Sequence, residues 1–199
     1  MRVSGSYAAP AGESWGEIRE KGSRFLAWIG PIAGEKGEDA AKAALDGLAR
    51  RYPDATHHCW AWRLGSPPRE RSSDAGEPSG TAGVPILQVL RGAGLSDVLA
   101  VVVRWFGGTR LGKGGLARAY AAAAREALAG LPVVQRVPTV RIALQVPYER
   151  VGAVKRLIHP PEVELISEGY TEAAQLVLAV HEERRDALRE ALADLGIVV

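Results

Sequence analysis

The chain has 199 residues, of which 47% are hydrophobic and 24% charged, a balance that suits one domain or two small ones with a buried core rather than a disordered chain. Its longest apolar stretches, such as 98–103, fall far short of the roughly 20 residues that cross a bilayer. Residues 1–20 hold no apolar signal-peptide core, and one cysteine, Cys59, excludes an internal disulfide and a multi-cysteine zinc site. A cytoplasmic protein with no metal and no cofactor is therefore expected. The net charge of +2 hides an asymmetry: residues 1–137 hold 18 basic and 13 acidic residues (+5), and residues 138–199 hold 7 and 10 (−3).

In chain order, residues 24–32 read as a strand, and 38–52 as a helix closed by Pro53. Residues 56–64 read as a second strand, and 65–80 as a long loop rich in Gly, Pro and Ser. Structureless loops of that length in a compact domain are usually functional or mobile. Residues 81–90 read as a helix with Thr81 placed to cap it, 97–106 as a buried strand, and 111–128 as an Ala-rich helix. Gly130-Leu131-Pro132 ends that helix, since glycine stops it and proline cannot continue it.

Two domains, 1–137 and 138–199, follow from this seam and the charge split. In the second, 139–146 alternates apolar and polar residues as a strand, and 148–158 has helical spacing broken by His159-Pro160-Pro161. Residues 163–170 and 174–181 read as strands around a turn at Gly169. Residues 182–195 form an amphipathic helix with Leu188, Leu192 and Leu195 inward, and 197–199 a last short strand. The order βαββαβ is that of a ferredoxin-like split βαβ, a fold that by itself implies no function.

Three segments could carry chemistry. The first is Trp105-Phe106-Gly107-Gly108-Thr109-Arg110-Leu111-Gly112-Lys113-Gly114-Gly115, which joins an apolar strand to a helix. A helix start presents unpaired N–H groups and a partial positive charge. From 98 to 125 there are five basic residues, Arg104, Arg110, Lys113, Arg118 and Arg125, and no acidic one. Candidate anion or nucleic-acid contacts are Arg104, Gly107, Gly108, Arg110, Gly112, Lys113, Gly114, Gly115 and Arg118. The spacing Gly107-x-x-x-x-Gly112-Lys113 imitates a P-loop, but Gly114 stands where Ser or Thr would hold magnesium. The opposing reading is that the glycines only permit close helix–strand packing.

The second segment, 71–83, sets Asp74 and Glu77 among four hydroxyls and an arginine. Asp74 could act as a base or ligand, or could close an Asx turn. The third, His57-His58-Cys59-Trp60-Ala61-Trp62, puts His57 and Cys59 on one strand face and His58, Trp60 and Trp62 on the other. A Cys–His pair can form a nucleophile and base, or a buried thiol beside a hydrogen-bonded imidazole. Trp60 and Trp62 could stack on bases or lie in the core. His57, Asp74 and Glu77 are the candidate ligand contacts of these two segments.

Several of these motifs together resemble a known family. Ala55-Thr56-His57-x-Cys59-Trp60-Ala61, Ser73-Asp74-x-Gly76-Glu77-Pro78-Ser79-Gly80-Thr81-Ala82-Gly83 and Arg104-Trp105-Phe106-Gly107-Gly108-x-x-Leu111-Gly112-x-Gly114-Gly115-Leu116-x-Arg118-Ala119-Tyr120 are similar to the IMPACT family in its bacterial YigZ branch. Lys21-Gly22-Ser23-Arg24-Phe25 fits the same pattern. His58 and Trp105 stand where the family often has Asn and Tyr. The resemblance implies an α+β protein. Its N-terminal domain would have the ribosomal-protein-S-five second-domain-like fold, and its C-terminal domain would be ferredoxin-like, similar to the last domain of elongation factor G. It carries no established catalytic residues. Eukaryotic members regulate translation through a starvation-responsive kinase, a role not expected to transfer to a bacterial-type chain.

The leading expectation is a binding protein acting on RNA or the ribosome, in translation or its regulation, with the acidic second domain contacting protein. An enzyme on a phosphorylated small molecule or nucleotide is the alternative, using His57, Asp74, Glu77, Arg110 and Lys113. A protein-interaction adaptor using the 65–80 loop is the second alternative.

Overall fold

The computed structural model describes residues 6–32 and 37–198. They form two compact units, one spanning Tyr7–Arg136 and the other built on the chain from Val137 onward. The first unit is organised by β6 (Val98–Trp105), whose residues are buried from Val98 through Arg104. It has no polar side because both its faces are covered. Val98, Ala100 and Val102 join one apolar cluster, and Leu99, Val101 and Val103 join another.

Around β6 lies an antiparallel sheet of β2 (Ser14–Glu20), β3 (Ser23–Pro31), β4 (His57–Leu64) and β5 (Arg69–Ser73), in the order β2-β3-β6-β4-β5. One face packs on α2 (Gly83–Gly92) and α3 (Gly112–Ala129), where Ile86, Leu90, Leu116, Ala123 and Ala127 are buried. The alanines of α3 have no bulk to hold it away from the sheet. The other face packs on α1 (Gly37–Arg51) through Ala41 and Leu48. The two strands β1 (Tyr7–Pro10) and β7 (Val133–Arg136) pair antiparallel as a separate ribbon.

The expected loop at 65–80 is corrected here: β5 lies within it, paired to β4 from Trp60↔Ser73 to Leu64↔Arg69. Its Arg-Glu-Arg-Ser-Ser sequence hides a strand because this is a sheet edge, where charged residues are tolerated and discourage further pairing. Glu70 holds it against its neighbours, accepting from Arg63 Nε at 2.7 Å and from Arg91 Nε at 2.9 Å. The strands β1, β2 and β7 were likewise not anticipated.

The second unit contains β8 (Thr139–Val146), α4 (Tyr148–Lys155), β9 (Val163–Tyr170), β10 (Ala174–His181), a 3-10 turn (Glu182–Arg184) and α5 (Arg185–Asp194). β10 lies between β8 and β9, antiparallel to both, which is the insertion that splits a βαβ unit. Val154, Leu188 and Leu192 pack with Ile142, Leu144, Leu176 and Leu178 in one core. Two expectations are corrected. Gly169 lies inside β9 opposite Gln175 rather than in the turn, which falls at 171–173. Residues 197 and 198 form no strand, and residue 199 lies outside the described residues. The Ile197 N–H returns to Leu192 O at 2.9 Å and the Gly196 N–H to Ala193 O at 2.8 Å. That is a Schellman cap on α5, which turns Ile197 into the core and leaves Val198 94% exposed.

Candidate anion site and the polar network beneath it

After β6, the chain turns through 106–111 and enters α3. The turn is pinned from below: the Phe106 N–H donates to Thr56 Oγ1 at 3.0 Å, and the Gly107 N–H to Ser23 Oγ at 3.1 Å. Gly107 is pressed on the β2–β3 hairpin, where a Cβ would fall 1.9 Å from the carbonyl carbon of Gly22. The packing reading of the glycines therefore holds at this position. It does not hold at Gly108 and Gly112, which have open space around them and φ of +85° and +69°. There the backbone conformation itself calls for glycine.

The turn is open to solvent. Gly107, Gly108, Arg110, Gly112, Lys113, Gly114 and Arg118 are exposed, and Gly115 is half-buried. Leu111 precedes α3 without a side-chain cap, and the first turn of the helix has no acidic residue. This helix start, with no side-chain cap and with exposed Arg110 and Lys113 beside it, is an arrangement that favours an anion. Lys21, exposed in the hairpin that touches Gly107, joins this basic rim.

Arg104 is placed differently from the other candidates. It is 5% exposed and ion-paired with Glu77, which is 8% exposed. Its guanidinium lies between the rings of Phe25 and Phe106, 5.3 and 5.6 Å from their centroids. The charge is committed inside the protein and cannot serve as a surface anion contact. Its Nη2 donates to Ser23 Oγ at 3.3 Å, the same oxygen that holds Gly107, so the buried pair supports the turn from beneath.

Glu77 also accepts from the Tyr120 hydroxyl on α3 at 2.7 Å. The Cys59 thiol on β4 has two acceptors in reach, Asp74 O at 2.9 Å and Tyr120 Oη at 3.3 Å. His57 Nδ1 lies 2.9 Å from Ala75 O. A carbonyl only accepts, so Nδ1 carries a proton, and Nε2 faces Glu77 Oε1 at 3.9 Å. Register places His57 opposite Arg104, which is why residues distant in sequence meet here. Burial pushes the Cys59 thiol up to about 12. A fully buried, protonated thiol is not a nucleophile at neutral pH, so the Cys–His pair has the geometry of a framework. Burial and then the nearby Cys59 also raise the Tyr120 hydroxyl above its ordinary value.

Asp74 is occupied by the backbone. Its Oδ1 accepts from the Ala82 and Gly83 N–H groups, and its Oδ2 from Gly80 N–H, each at 2.8 Å. Burial would raise this carboxyl, but these N–H groups outweigh it and hold the group below its ordinary value. Asp74 therefore caps α2 from eight residues away. Thr81, expected in that role, instead donates to Pro78 O at 2.6 Å, and the residue at the cap position is Ala82. Sequence reasoning assigned no polar role to Ser23 or Tyr120. Their signal was present: a serine after a Lys-Gly turn, and a lone tyrosine in an alanine-rich helix.

Of the two tryptophans considered for stacking, Trp62 is buried and Trp60 half-buried. Among the described residues, no group of three or more His, Cys, Asp or Glu side chains is placed to hold a metal ion. Nor is any described helix long and apolar enough to cross a membrane.

Known proteins match both units. The family model for the Impact N-terminal domain matches residues 21–128, and a domain of unknown function, DUF1949, matches residues 144–196. The chain is 36% identical to the IMPACT family member YigZ of Escherichia coli, over 88% of this chain and 86% of that one. It is 44% identical to an IMPACT family member of Thermus thermophilus, over 71% and 75% of the two chains. A crystal structure of a hypothetical protein, 30% identical, superposes with a TM-score of 0.74 over 99% of this chain and 98% of that chain.

Proposed function

The chain belongs to the IMPACT family, and from that premise we propose that it is a cytoplasmic RNA- or ribosome-associated binding protein with a role in translation or its regulation. The observation that carries this reading is the start of α3. It is exposed, has no side-chain cap and no acidic residue in its first turn, and is flanked by Arg110 and Lys113. RNA presents phosphates in a row, and a basic, acid-free surface meets them without repulsion. The resemblance to ribosomal-protein-S-five and elongation-factor-G folds belongs to the same proposal. The acidic second unit, which would repel phosphates, is assigned to a protein contact.

The enzyme alternative gains no support from the polar network. Asp74 is held by three N–H groups, the Cys59 thiol is buried, and Glu77 neutralises Arg104. RNA binding by the wild type and by Arg110→Ala/Lys113→Ala, titrated at several salt concentrations, tests the proposal. Loss of two phosphate contacts lowers affinity at least about tenfold at low salt and flattens the salt slope by roughly one to two. Equal affinity and slope in the double variant would overturn the site.

A further inference from the structure

Among the described residues of the first unit, Phe106 is the aromatic residue that stands in solvent: 48% of it is exposed, beside the Gly-rich turn. Other large rings of this unit are occupied. Trp105 lies edge-on to Tyr52 at 5.6 Å, carries Arg24 over its ring at 4.6 Å, and donates through Nε1 to Asp54 at 2.8 Å. Trp15 is covered by Arg51 at 5.1 Å and is edge-on to Tyr52. Phe106 has no such partner at its outer side. From within, the buried Arg104 guanidinium backs the ring.

The backbone that carries the ring is also fixed. Its own N–H is tied to Thr56, and the next N–H to Ser23. The following residue, Gly107, is wedged on Gly22. The segment presenting Phe106 is therefore pinned at consecutive residues, and a contact to the ring costs little backbone ordering. Immediately beyond it come Arg110, Lys113 and the uncapped start of α3. An exposed flat apolar ring beside an acid-free cationic turn suits a ligand with an apolar face next to an anion.

We propose that Phe106 is a base-stacking platform, so that the polyanion bound at this turn is single-stranded RNA rather than a duplex. The inference rests on the RNA-binding reading and narrows it. In a duplex the base faces are already stacked inside, and only phosphates and groove edges are offered. In a single strand an unstacked base can lie on Phe106 while its phosphate neighbours the N–H groups of α3. Stacking on an aromatic ring is tolerant of base identity, so the site selects strandedness more than sequence.

The test is fluorescence anisotropy with a labelled single-stranded RNA and a blunt duplex containing it, using wild type, Phe106→Ala, Phe106→Leu, Phe106→Trp and Arg110→Ala/Lys113→Ala. Thermal melting checks that each variant is folded, which an exposed position favours. Wild type is expected to prefer the single strand. Phe106→Ala and Phe106→Leu weaken single-strand binding roughly tenfold with an unchanged salt slope, duplex binding shifts less than about twofold, and Phe106→Trp restores the wild-type value. Wild-type affinity in Phe106→Ala, alongside loss in the double variant, would overturn the stacking proposal and leave the anion site standing. Full affinity in Phe106→Leu would also overturn it, since an apolar contact such as an interacting peptide makes would then suffice. Failure of wild type to bind either RNA would overturn both readings together.

Discussion

The two units bury different chemistry. Every polar or charged residue classed as buried among the described residues lies in the first unit: Ser14, Ser23, Glu77, Thr81, Ser96, Asp97 and Arg104. The core of the second unit is apolar throughout, with Ile142, Leu144, Val146, Leu176, Leu178, Leu188 and Leu192 at its centre. A buried ion pair is a poor way to gain stability, because desolvation offsets most of its attraction. Its presence under the Gly-rich turn, linked to it through Ser23, marks that turn as a feature the first unit is built to hold. The second unit needs only hydrophobic patterning, and it has no comparable surface turn resting on a buried charge pair among its described residues.

The comparison can be broken most sharply at Glu77. Glu77→Ala strands Arg104 without its counter-charge and removes the acceptor of Tyr120, and should cost about 3–5 kcal/mol in denaturant unfolding. Glu77→Met with Arg104→Met should recover most of that. A cost below about 1 kcal/mol for the single change would mean the pair does not support the turn. In the second unit, Leu192→Ala should cost about 2–4 kcal/mol by loss of apolar burial and the cavity left behind, with no dependence on salt. A marked salt dependence there would contradict a purely apolar core.

Asp74→Ala is the smallest of the three, at about 1–2 kcal/mol near neutral pH, the worth of a helix cap. Its pH dependence is specific. The folded carboxyl sits below its ordinary value because the N–H groups of Gly80, Gly83 and Ala82 outweigh the effect of burial. The cap is therefore fully present above the ordinary carboxylate value and is lost as pH falls through it toward the lower folded value. The gap in stability between wild type and variant should narrow below about pH 4, and a gap of equal size at pH 3 and pH 7 would show that the carboxylate charge is not what caps α2.

Legibility in the sequence followed burial. The three strands of the second unit were readable to the residue: β8 and β10 alternate over an apolar core, and β9 begins with Val163 and Leu165 facing it. The centre of the first unit was also readable, since an unbroken apolar run such as 98–103 fits a strand covered on both faces. The edges were not. All five residues of β5 are polar, and β2 carries Glu17, Arg19 and Glu20, so neither shows a periodicity that burial would impose. Asp74 and Glu77 were recognisable as unusual carboxylates, but not their partners. Asp74 caps a helix several residues away, and Glu77 meets residues from β6 and α3, 27 and 43 positions further on.

By itself, then, the sequence determined the charge asymmetry along the chain, the family, and a glycine-rich basic turn at a strand–helix junction. All are local or compositional properties. Only the tertiary structure decided which of the cations in that turn are free. Arg104 and Arg110 look equivalent in the sequence, yet one is buried against Glu77 and the other faces solvent. Strand pairing makes that distinction: β4 and the loop after β5 bring a carboxylate to Arg104, and nothing in the order of residues around position 104 shows that a counter-charge is coming.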